Sequence, residues 1–286
     1  MSAIRQDPTT REWVIVAPTR ARRPHTPPAA APAAPPPEAA CPFCPGNEAS
    51  TPPGLLRLPG PGGGGWAVRV IPNKFGALAP GGELVRRECA PLFREMDGVG
   101  HHEVIVETPR HDGTMPRMTD AEVELVLRAY QTRYKALRGD GRVKYIIIFK
   151  NHGERAGTSL SHPHSQLVAT PVPPMQMRRK YEVATAHFDD TGRCLYRDLV
   201  EAELEAKDRL VLQTDRFVVF HPYASRAPFE TWIAPKRHQP AFAQVSAEDL
   251  VALARVVRRT LATLEAVADD PCGLLRRHRG DADPRA

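Results

Sequence analysis

The sequence lacks several features that would place it in a common class of protein. No run approaches the ~20 consecutive apolar residues that a membrane-spanning helix needs. Residues 1–10 lack the charged-then-apolar pattern of a secretory signal. Aromatic residues make up only 6% of the chain, which provides no stacking platform for nucleic acid. We therefore expect a cytoplasmic, soluble protein with neither a membrane nor a nucleic-acid partner.

Cysteine is scarce and odd in number, which argues against a disulfide framework. The 286 residues include five cysteines, and Cys89, Cys194 and Cys272 are isolated in the sequence. Net charge is also small, at +6, so the basic excess is too weak for a protein that coats nucleic acid. Hydrophobic residues nevertheless reach 42%, enough for a substantial core in one large domain or two small ones.

The most informative feature that is present is the sequence SHPHSQ at residues 161–166, reached through a glycine-bearing run at 151–159. Residues i and i+2 of an extended segment point to the same face, so we expect His162, His164 and Gln166 to share one side. Imidazole and amide groups in a row can bind a phosphate, attack it or hold a metal. The small residues before them let backbone N–H groups approach an anion.

Periodicity predicts a mixture of strands and helices. The segment at 144–149 contains a continuous β-branched run, so we expect a central strand covered on both faces. Thr119 and Glu122 have capping-box spacing at the start of an apolar helical stripe. Residues 24–40 predict an extended connector, and residues 52–65 a mobile loop. Other strands are predicted at 13–16, 66–71, 102–107 and 165–169.

A weaker copy of the same pattern follows in the second half. Apolar runs at 217–220 and 229–234 precede a second capping pair, Ser246 and Asp249, and a helical stripe that ends near residue 267. A duplicated strand–strand–helix unit is the simplest account. Nothing resembles the two further strands of the first copy, so we expect an incomplete second half followed by a basic tail at 271–286.

Cys41 and Cys44 form a CxxC knuckle. A lone CxxC suits redox chemistry or zinc, and the flanking prolines oppose the helix start that redox sites use, which favours zinc. A closed zinc site needs four ligands, and no second CxxC exists. Histidines must then supply the rest, with His111 and one histidine of the 161–166 motif as candidates. The other interpretation is a pair of buried thiols with unrelated histidines.

Taken together, these motifs resemble the galactose-1-phosphate uridylyltransferase family, a branch of the histidine-triad superfamily. The resemblance runs from about residue 10 to 265. It rests on PTRARRP at 18–24, CPFCPGNE at 41–48, IPNKF at 71–75, the signature at 151–166, and PFETW and PKRH at 228–238. It implies an α+β fold of duplicated histidine-triad-like halves with antiparallel sheets and flanking helices. The predicted boundaries are 1–170 for the half with the knuckle and the HPH motif, and 171–270 for the incomplete half. The basic tail at 271–286 lies outside the resemblance, and we expect it to be disordered.

The resemblance implies a nucleotidyltransferase of galactose metabolism. His164 is the implied nucleophile, which takes UMP from UDP-glucose as a uridylyl-histidine and passes it to a hexose 1-phosphate. Gln166 is implied to donate to a phosphoryl oxygen. Family members bind the hexose partly across a dimer interface, which implies a homodimer. The implied substrate-binding residues are Arg20, Arg23, Asn73, Asn151, Gly157, Thr158 and Ser159.

The resemblance also implies Zn²⁺ as cofactor. The implied ligands are Cys41, Cys44, His111 and His162, a set that suits a tetrahedral site. His162 would then hold the metal while His164 stays free for chemistry.

Two other functions stay open at this point. One is an ADP-sugar or dinucleotide phosphorylase or adenylyltransferase of the same superfamily, which shares the signature and would differ in base recognition near Asn73. The other is a truncated, zinc-containing nucleotide-binding protein without turnover, favoured by the incomplete second copy.

Overall fold

Four α-helices and a set of antiparallel sheets make up the architecture in the computed structural model, which describes residues 3–16, 41–60, 63–153, 156, 158 and 160–269. The helices are α1 (Asp120–Arg138), α2 (Met175–Thr191), α3 (Leu195–Ala206) and α4 (Ala247–Asp269). The predicted α+β class is confirmed. The predicted connector at 24–40 and the predicted tail at 271–286 lie outside the described residues. None of the described helices is long and apolar enough to span a bilayer.

The strands form one large sheet, one small sheet and two two-stranded pairs. The strands are β1 (Ala3–Gln6), β2 (Trp13–Val16), β3 (Leu56–Pro59), β4 (Trp66–Pro72), β5 (Arg87–Ala90), β6 (Phe93–Glu95), β7 (His101–Val106), β8 (Tyr145–Phe149), β9 (His164–Thr170), β10 (Leu210–Gln213), β11 (Phe217–Phe220) and β12 (Trp232–Pro235). The large sheet has the order β3-β4-β7-β9-β8, and the small sheet has the order β10-β11-β12, while β1 pairs with β2 and β5 with β6. All of these pairings are antiparallel.

The two faces of the large sheet are covered by different parts of the chain. Ile105 and Leu167 lie on one face and pack with Val123 and other residues of α1. Val104 and Val106 lie on the opposite face and pack with the CxxC knuckle. Because successive side chains of a strand alternate, this arrangement separates a helix-covered core from a knuckle-covered face.

The sequence predicted a central strand at Tyr145–Phe149, and this prediction was wrong. This segment is the edge strand β8, whose only partner among the described strands is β9, and Ile147 is 39% exposed. Ile146 and Ile148 still pack against the core of α1 and the sheet. A β-branched run therefore indicated a strand correctly, but it contained no information on how many neighbours that strand would have.

The predicted mobile loop at 52–65 contains strand β3, so this prediction was wrong in part. Leu56 pairs with Val70 and Leu58 with Val68, and the two leucines are half-buried between exposed residues. This alternation is typical of a strand with one face on the core. The surrounding prolines and glycines obscured the pattern in the sequence.

The predicted capping box of α1 is present in both directions. The Thr119 hydroxyl accepts from the Glu122 backbone amide at 3.2 Å, and the Glu122 carboxylate accepts from the Thr119 amide at 2.7 Å. Val123, Leu127 and Leu137 of the predicted stripe are buried. The cap thus sets the first residue of α1, and the stripe sets the face that covers the sheet.

The second half repeats the order of elements of the first. Strands β10, β11 and β12 followed by α4 correspond to β3, β4 and β7 followed by α1. Leu250 and Ala254 of α4 pack in one core with Val123 and Val126 of α1. The two halves therefore share a hydrophobic core, and the boundary at residue 170 stays a prediction. Helices α2 and α3, between the halves, were not predicted.

Candidate active site

Strand β9 brings the HPH motif onto the knuckle-covered face of the large sheet. His164 pairs with Val106, and Gln166 pairs with Val104, so both side chains share the face of these two valines. His162 lies just before the strand, in a bend, and is fully buried. The shared face expected from i, i+2 spacing is thus present for His164 and Gln166, whereas the bend directs His162 into the knuckle.

Four side chains converge at the knuckle and form a group that could hold a metal. They are the predicted ligands Cys41, Cys44, His111 and His162, and their ligand atoms all lie within 4.8 Å of one another. The Cys44 sulfur is 3.3 Å from His111 Nδ1 and 3.5 Å from His162 Nδ1, and the Cys41 sulfur is 3.7 Å from His162 Nδ1. Bond lengths of Zn²⁺ to sulfur and nitrogen give edges of about 3.3–3.8 Å in a tetrahedron, so the spacing fits that ion.

Outer contacts orient both histidines for this role. His162 Nε2 donates to the Thr108 carbonyl at 2.8 Å, and His111 Nε2 is hydrogen-bonded to the Ser161 hydroxyl at 3.0 Å. His162 therefore carries its proton on Nε2 and presents the lone pair of Nδ1 to the thiols. Burial lowers the pKa of His162 to about 4, which keeps the imidazole neutral near pH 7.

Two side chains, those of Asn47 and Arg69, hold the backbone of the knuckle. The Asn47 amide donates to the Cys41 carbonyl at 2.8 Å. Arg69, which is 4% exposed, donates to the Pro42 carbonyl at 3.2 Å and to the Thr51 hydroxyl at 2.9 Å. These contacts attach the knuckle to strand β4. The prolines that argued against a helix here are consistent with the observed turns.

One ring nitrogen of His164 is hydrogen-bonded, and the other has no hydrogen-bond partner among the described residues. Its Nδ1–H donates to the His162 carbonyl at 2.9 Å, which leaves the Nε2 lone pair outside this contact. The Phe43 ring packs edge-on, with its centroid 5.4 Å from that of His164. Burial lowers the pKa of His164, and the nearby Lys150 acts in the same direction. An imidazole that keeps the Nε2 lone pair clear of the other described residues is suited to nucleophilic attack.

A buried polar network lies beneath His164, on the helix side of the sheet. The fully buried carboxylate of Glu107 accepts from Lys150 Nζ at 2.7 Å and from the Ser165 hydroxyl. Tyr130 donates to Ser165 at 2.5 Å, and Lys150 also donates to the His164 carbonyl at 3.3 Å. Sequence reasoning missed this network. The acid directly after the apolar strand β7 was the available signal.

Gln166 and Asn73, two site residues that the resemblance implied, lie close together. The Asn73 amide nitrogen is 3.5 Å from Gln166 Oε1, and Asn73 Oδ1 accepts from the Phe75 backbone amide at 2.9 Å. His102 Nε2 lies closer to Gln166 Oε1, at 2.8 Å. Sequence reasoning placed residue 102 on a strand but assigned it no part in the site.

The remaining predicted substrate-binding residues are only partly described. Asn151 is exposed, two residues beyond Phe149, which pairs with Gln166. The Thr158 hydroxyl oxygen is buried and has no hydrogen-bond partner among the described residues. A buried hydroxyl of this kind costs free energy unless a ligand satisfies it. Arg20, Arg23, Gly157 and Ser159 lie outside the described residues.

Comparison with known proteins agrees with this geometry. The family model for galactose-1-phosphate uridyl transferase, N-terminal domain, matches residues 1–174. ADP-glucose phosphorylase of Arabidopsis thaliana is 32% identical over 272 residues, which cover 94% of this chain and 75% of that protein. Galactose-1-phosphate uridylyltransferase of Thermotoga maritima is 29% identical over 269 residues, covering 94% of this chain and 77% of that one.

Solved structures give the same result for the fold. The crystal structure of an ADP-glucose phosphorylase from Arabidopsis thaliana with bound ADP-glucose superposes with a TM-score of 0.75 at 30% identity, covering 91% of this chain and 76% of that one. A uridylyltransferase structure superposes with a TM-score of 0.69, also at 30% identity, covering 94% of this chain and 76% of that one. The chain therefore belongs to the galactose-1-phosphate uridyl transferase family of nucleotidyltransferases.

Proposed function

We propose that this chain is a UDP-glucose:hexose-1-phosphate uridylyltransferase that works through a covalent nucleotidyl-His164. The observation that carries the proposal is the His164 ring, whose Nδ1 is held by the His162 carbonyl while Nε2 is left for chemistry. Family membership supports the reaction class, and the uridylyltransferases among the relatives support UMP as the transferred group.

The proposed reaction has two displacements at one phosphorus atom. In the first, the Nε2 lone pair of His164 attacks the α-phosphorus of UDP-glucose. The bond from phosphorus to the bridging oxygen breaks, and glucose 1-phosphate leaves with that electron pair. In the second, a phosphate oxygen of the incoming hexose 1-phosphate attacks the same phosphorus, and the P–N bond returns its electrons to Nε2. Splitting one transfer into two in this way produces ping-pong kinetics.

Neighbouring hydrogen-bond donors would stabilise the negative charge on the reacting phosphate. Gln166 shares the face of His164, and its amide can donate to a phosphoryl oxygen as negative charge develops there. The buried hydroxyl of Thr158 is a second donor without a partner among the described residues. Asn73, Asn151, Arg20, Arg23, Gly157 and Ser159 complete the proposed substrate site.

We propose that the cluster of Cys41, Cys44, His111 and His162 holds Zn²⁺. Two thiols and two imidazole nitrogens are the donor set of a closed structural zinc site. The bound ion would supply rigidity rather than reaction chemistry. His162 and His164 are joined by Pro163 and by the contact of His164 with the His162 carbonyl, so a rigid His162 keeps the nucleophile in position.

The decisive experiment is covalent labelling of the full chain. UDP-glucose labelled in the uridylyl group should leave an acid-labile adduct at His164, identified as added UMP by mass spectrometry. The adduct should be absent in His164→Ala and present in the matched control His187→Ala, which changes a histidine that pairs with Asp198 near the surface. Absence of any adduct together with tight nucleotide binding would instead identify a nucleotide-binding protein without turnover.

A second candidate function is phosphorolysis of ADP-glucose. It is favoured by the 32% identity to the Arabidopsis ADP-glucose phosphorylase and by the fit to the structure with bound ADP-glucose. The same covalent step would carry AMP, and inorganic phosphate would be the acceptor. UDP-glucose and ADP-glucose, each assayed with galactose 1-phosphate or phosphate, separate the two functions, because the adduct mass identifies the base and the product identifies the acceptor.

A further inference from the structure

His102 lies diagonally across the β7–β9 pair from Gln166. Gln166 is directly opposite Val104, and His102 is two residues from Val104 on the same face of the sheet. Diagonal neighbours on one face are within reach of long side chains. Here His102 Nε2 reaches Gln166 Oε1 at 2.8 Å, the shorter of the two side-chain contacts of that oxygen.

The backbone of the neighbouring turn determines which nitrogen of His102 carries the proton. The Ala77 N–H donates to His102 Nδ1 at 3.0 Å, and an N–H group can only donate. Nδ1 is therefore the acceptor, and the proton of the neutral ring lies on Nε2. The same turn is fixed to the strand because the backbone N–H of Asn73 donates to the backbone carbonyl of His102 at 2.8 Å.

This tautomer has a consequence for Gln166. Since His102 Nε2–H donates, the atom of Gln166 that faces it must be the carbonyl oxygen. The NH₂ group then forms the other end of the amide, on the face shared with His164. If the amide rotated by a half-turn, it would present an oxygen to an anionic phosphate and lose the donor that stabilises charge there.

We propose that His102 is a positioning residue that fixes the amide of Gln166 with its NH₂ group available to the phosphoryl oxygen, an inference that rests on the proposed function. His102 touches neither the reacting atoms nor the metal cluster. It acts through Gln166, because the Asn73 amide nitrogen that lies 3.1 Å from His102 Nε2 is itself a donor and cannot accept from it. The hydrogen bond from His102 thus selects one of the two orientations of the Gln166 amide, the one in which the NH₂ group can donate to the phosphate.

The kinetic test is a double-mutant cycle on the full chain. His102→Phe keeps a ring but removes both nitrogen contacts, and it should slow the single-turnover rate of nucleotidyl-His164 formation on the order of 10- to 100-fold. KM for the nucleotide sugar should change less than about twofold, because a contact formed mainly in the transition state lowers the rate and leaves ground-state binding intact. His102→Gln, which restores an N–H donor near Nε2, should recover most of the rate.

Non-additivity decides whether His102 acts through Gln166. His102→Phe combined with Gln166→Ala should be no slower than Gln166→Ala alone. Additive losses, or an unchanged rate in His102→Phe, would overturn the proposal. Thermal melting and bound zinc, measured for each variant, exclude misfolding, and His102→Gln provides the comparison if His102→Phe does not fold.

A spectroscopic readout separates this proposal from the proposed function. Nitrogen-15 NMR should find the His102 proton on Nε2, and His102→Phe should shift the side-chain amide resonances of Gln166. A proton on Nδ1, or Gln166 amide resonances that do not shift in His102→Phe, would contradict the positioning role, whether or not the protein is active. A wild-type chain that turns over neither UDP-glucose nor ADP-glucose would contradict the proposed function. The same spectra would still show whether His102 orients Gln166.

Discussion

His164 donates from Nδ1 to the backbone carbonyl of His162, at 2.9 Å, so the proposed nucleophile is oriented by the residue proposed to bind metal. His162 is itself held by the Thr108 carbonyl on one nitrogen and faces both thiols with the other. The geometry of the proposed nucleophile therefore depends on the proposed metal cluster. Loss of the metal should then affect both the stability of the protein and the formation of the adduct.

The purified protein should contain about one zinc ion per chain, bound by the thiol and imidazole cluster. Removing it with a strong chelator, or replacing His162 by alanine, should lower Tm and abolish formation of the adduct, because structural zinc contributes directly to folding. Metal analysis and calorimetry check both effects. His187→Ala should keep its metal and its Tm, and a wild-type chain without zinc would contradict the assignment.

Breaking the buried pair of Lys150 and Glu107 should be strongly destabilising. Lys150→Met would leave the fully buried Glu107 carboxylate without its cation, a change that typically costs about 3–5 kcal/mol. Urea unfolding measures the loss. Arg193→Ala, which removes an exposed ion-pair network with Asp198 and Glu201, should cost much less, because water and salt screen exposed charges. Equal losses in the two variants would show that burial of the pair is unimportant.

Acid should weaken the second half through Asp249. Its carboxylate accepts from Arg216 at 2.5 Å and from Gln239 at 2.8 Å, and the bond from Arg216 is the main cause that lowers its pKa below the usual 3.8. A depressed folded-state pKa adds stability above the unfolded pKa, and this stability is lost as the pH falls through the folded value. Asp249→Asn should therefore be less stable than wild type at pH 7, with a gap that narrows below pH 4.

Urea midpoints measured between pH 7 and pH 3 test this dependence. Asp215→Asn, a change at an exposed acid close by, serves as the matched control and should leave the pH profile of wild type unchanged. A gap between Asp249→Asn and wild type that stays constant down to pH 3 would rule out the linkage.

The cap of α1 should contribute a measurable part of the stability. Thr119→Ala removes the hydroxyl that accepts from the Glu122 amide and should cost about 1 kcal/mol. Thr119→Ser keeps the oxygen and should cost only a few tenths of a kcal/mol. Thermal or urea unfolding distinguishes them, and identical stabilities for the two variants would mean that the cap is replaced by water.

Local rules predicted the elements whose signals are contained within a short window. The capping box of Thr119 and Glu122, the strand ending at Val16 and the alternation of His164 with Gln166 all depend on residues within a few positions of one another. The ligand set of the knuckle came from a resemblance to a family rather than from spacing, because His111 and His162 are far from Cys44 in the chain. Their convergence is a finding of the structure.

Where the sequence failed, the deciding factor was which strands became neighbours. Tyr145–Phe149 has the composition of a central strand but lies at an edge, because β9 occupies the place between it and β7. Leu56–Pro59 is a strand because β4 is available as its partner. Strand pairing is long-range, so composition alone cannot assign it.

By itself, the sequence determined the class of elements, the cap of α1 and the shared face of His164 and Gln166, since backbone periodicity requires no partner. Only the tertiary structure decided that His102 meets Gln166 from 64 positions away, and that Glu107, Lys150 and Ser165 form one buried network. Those contacts exist because the register of β7 on β9 brings distant residues to one spot. That register is set by the core packed on both faces of the sheet.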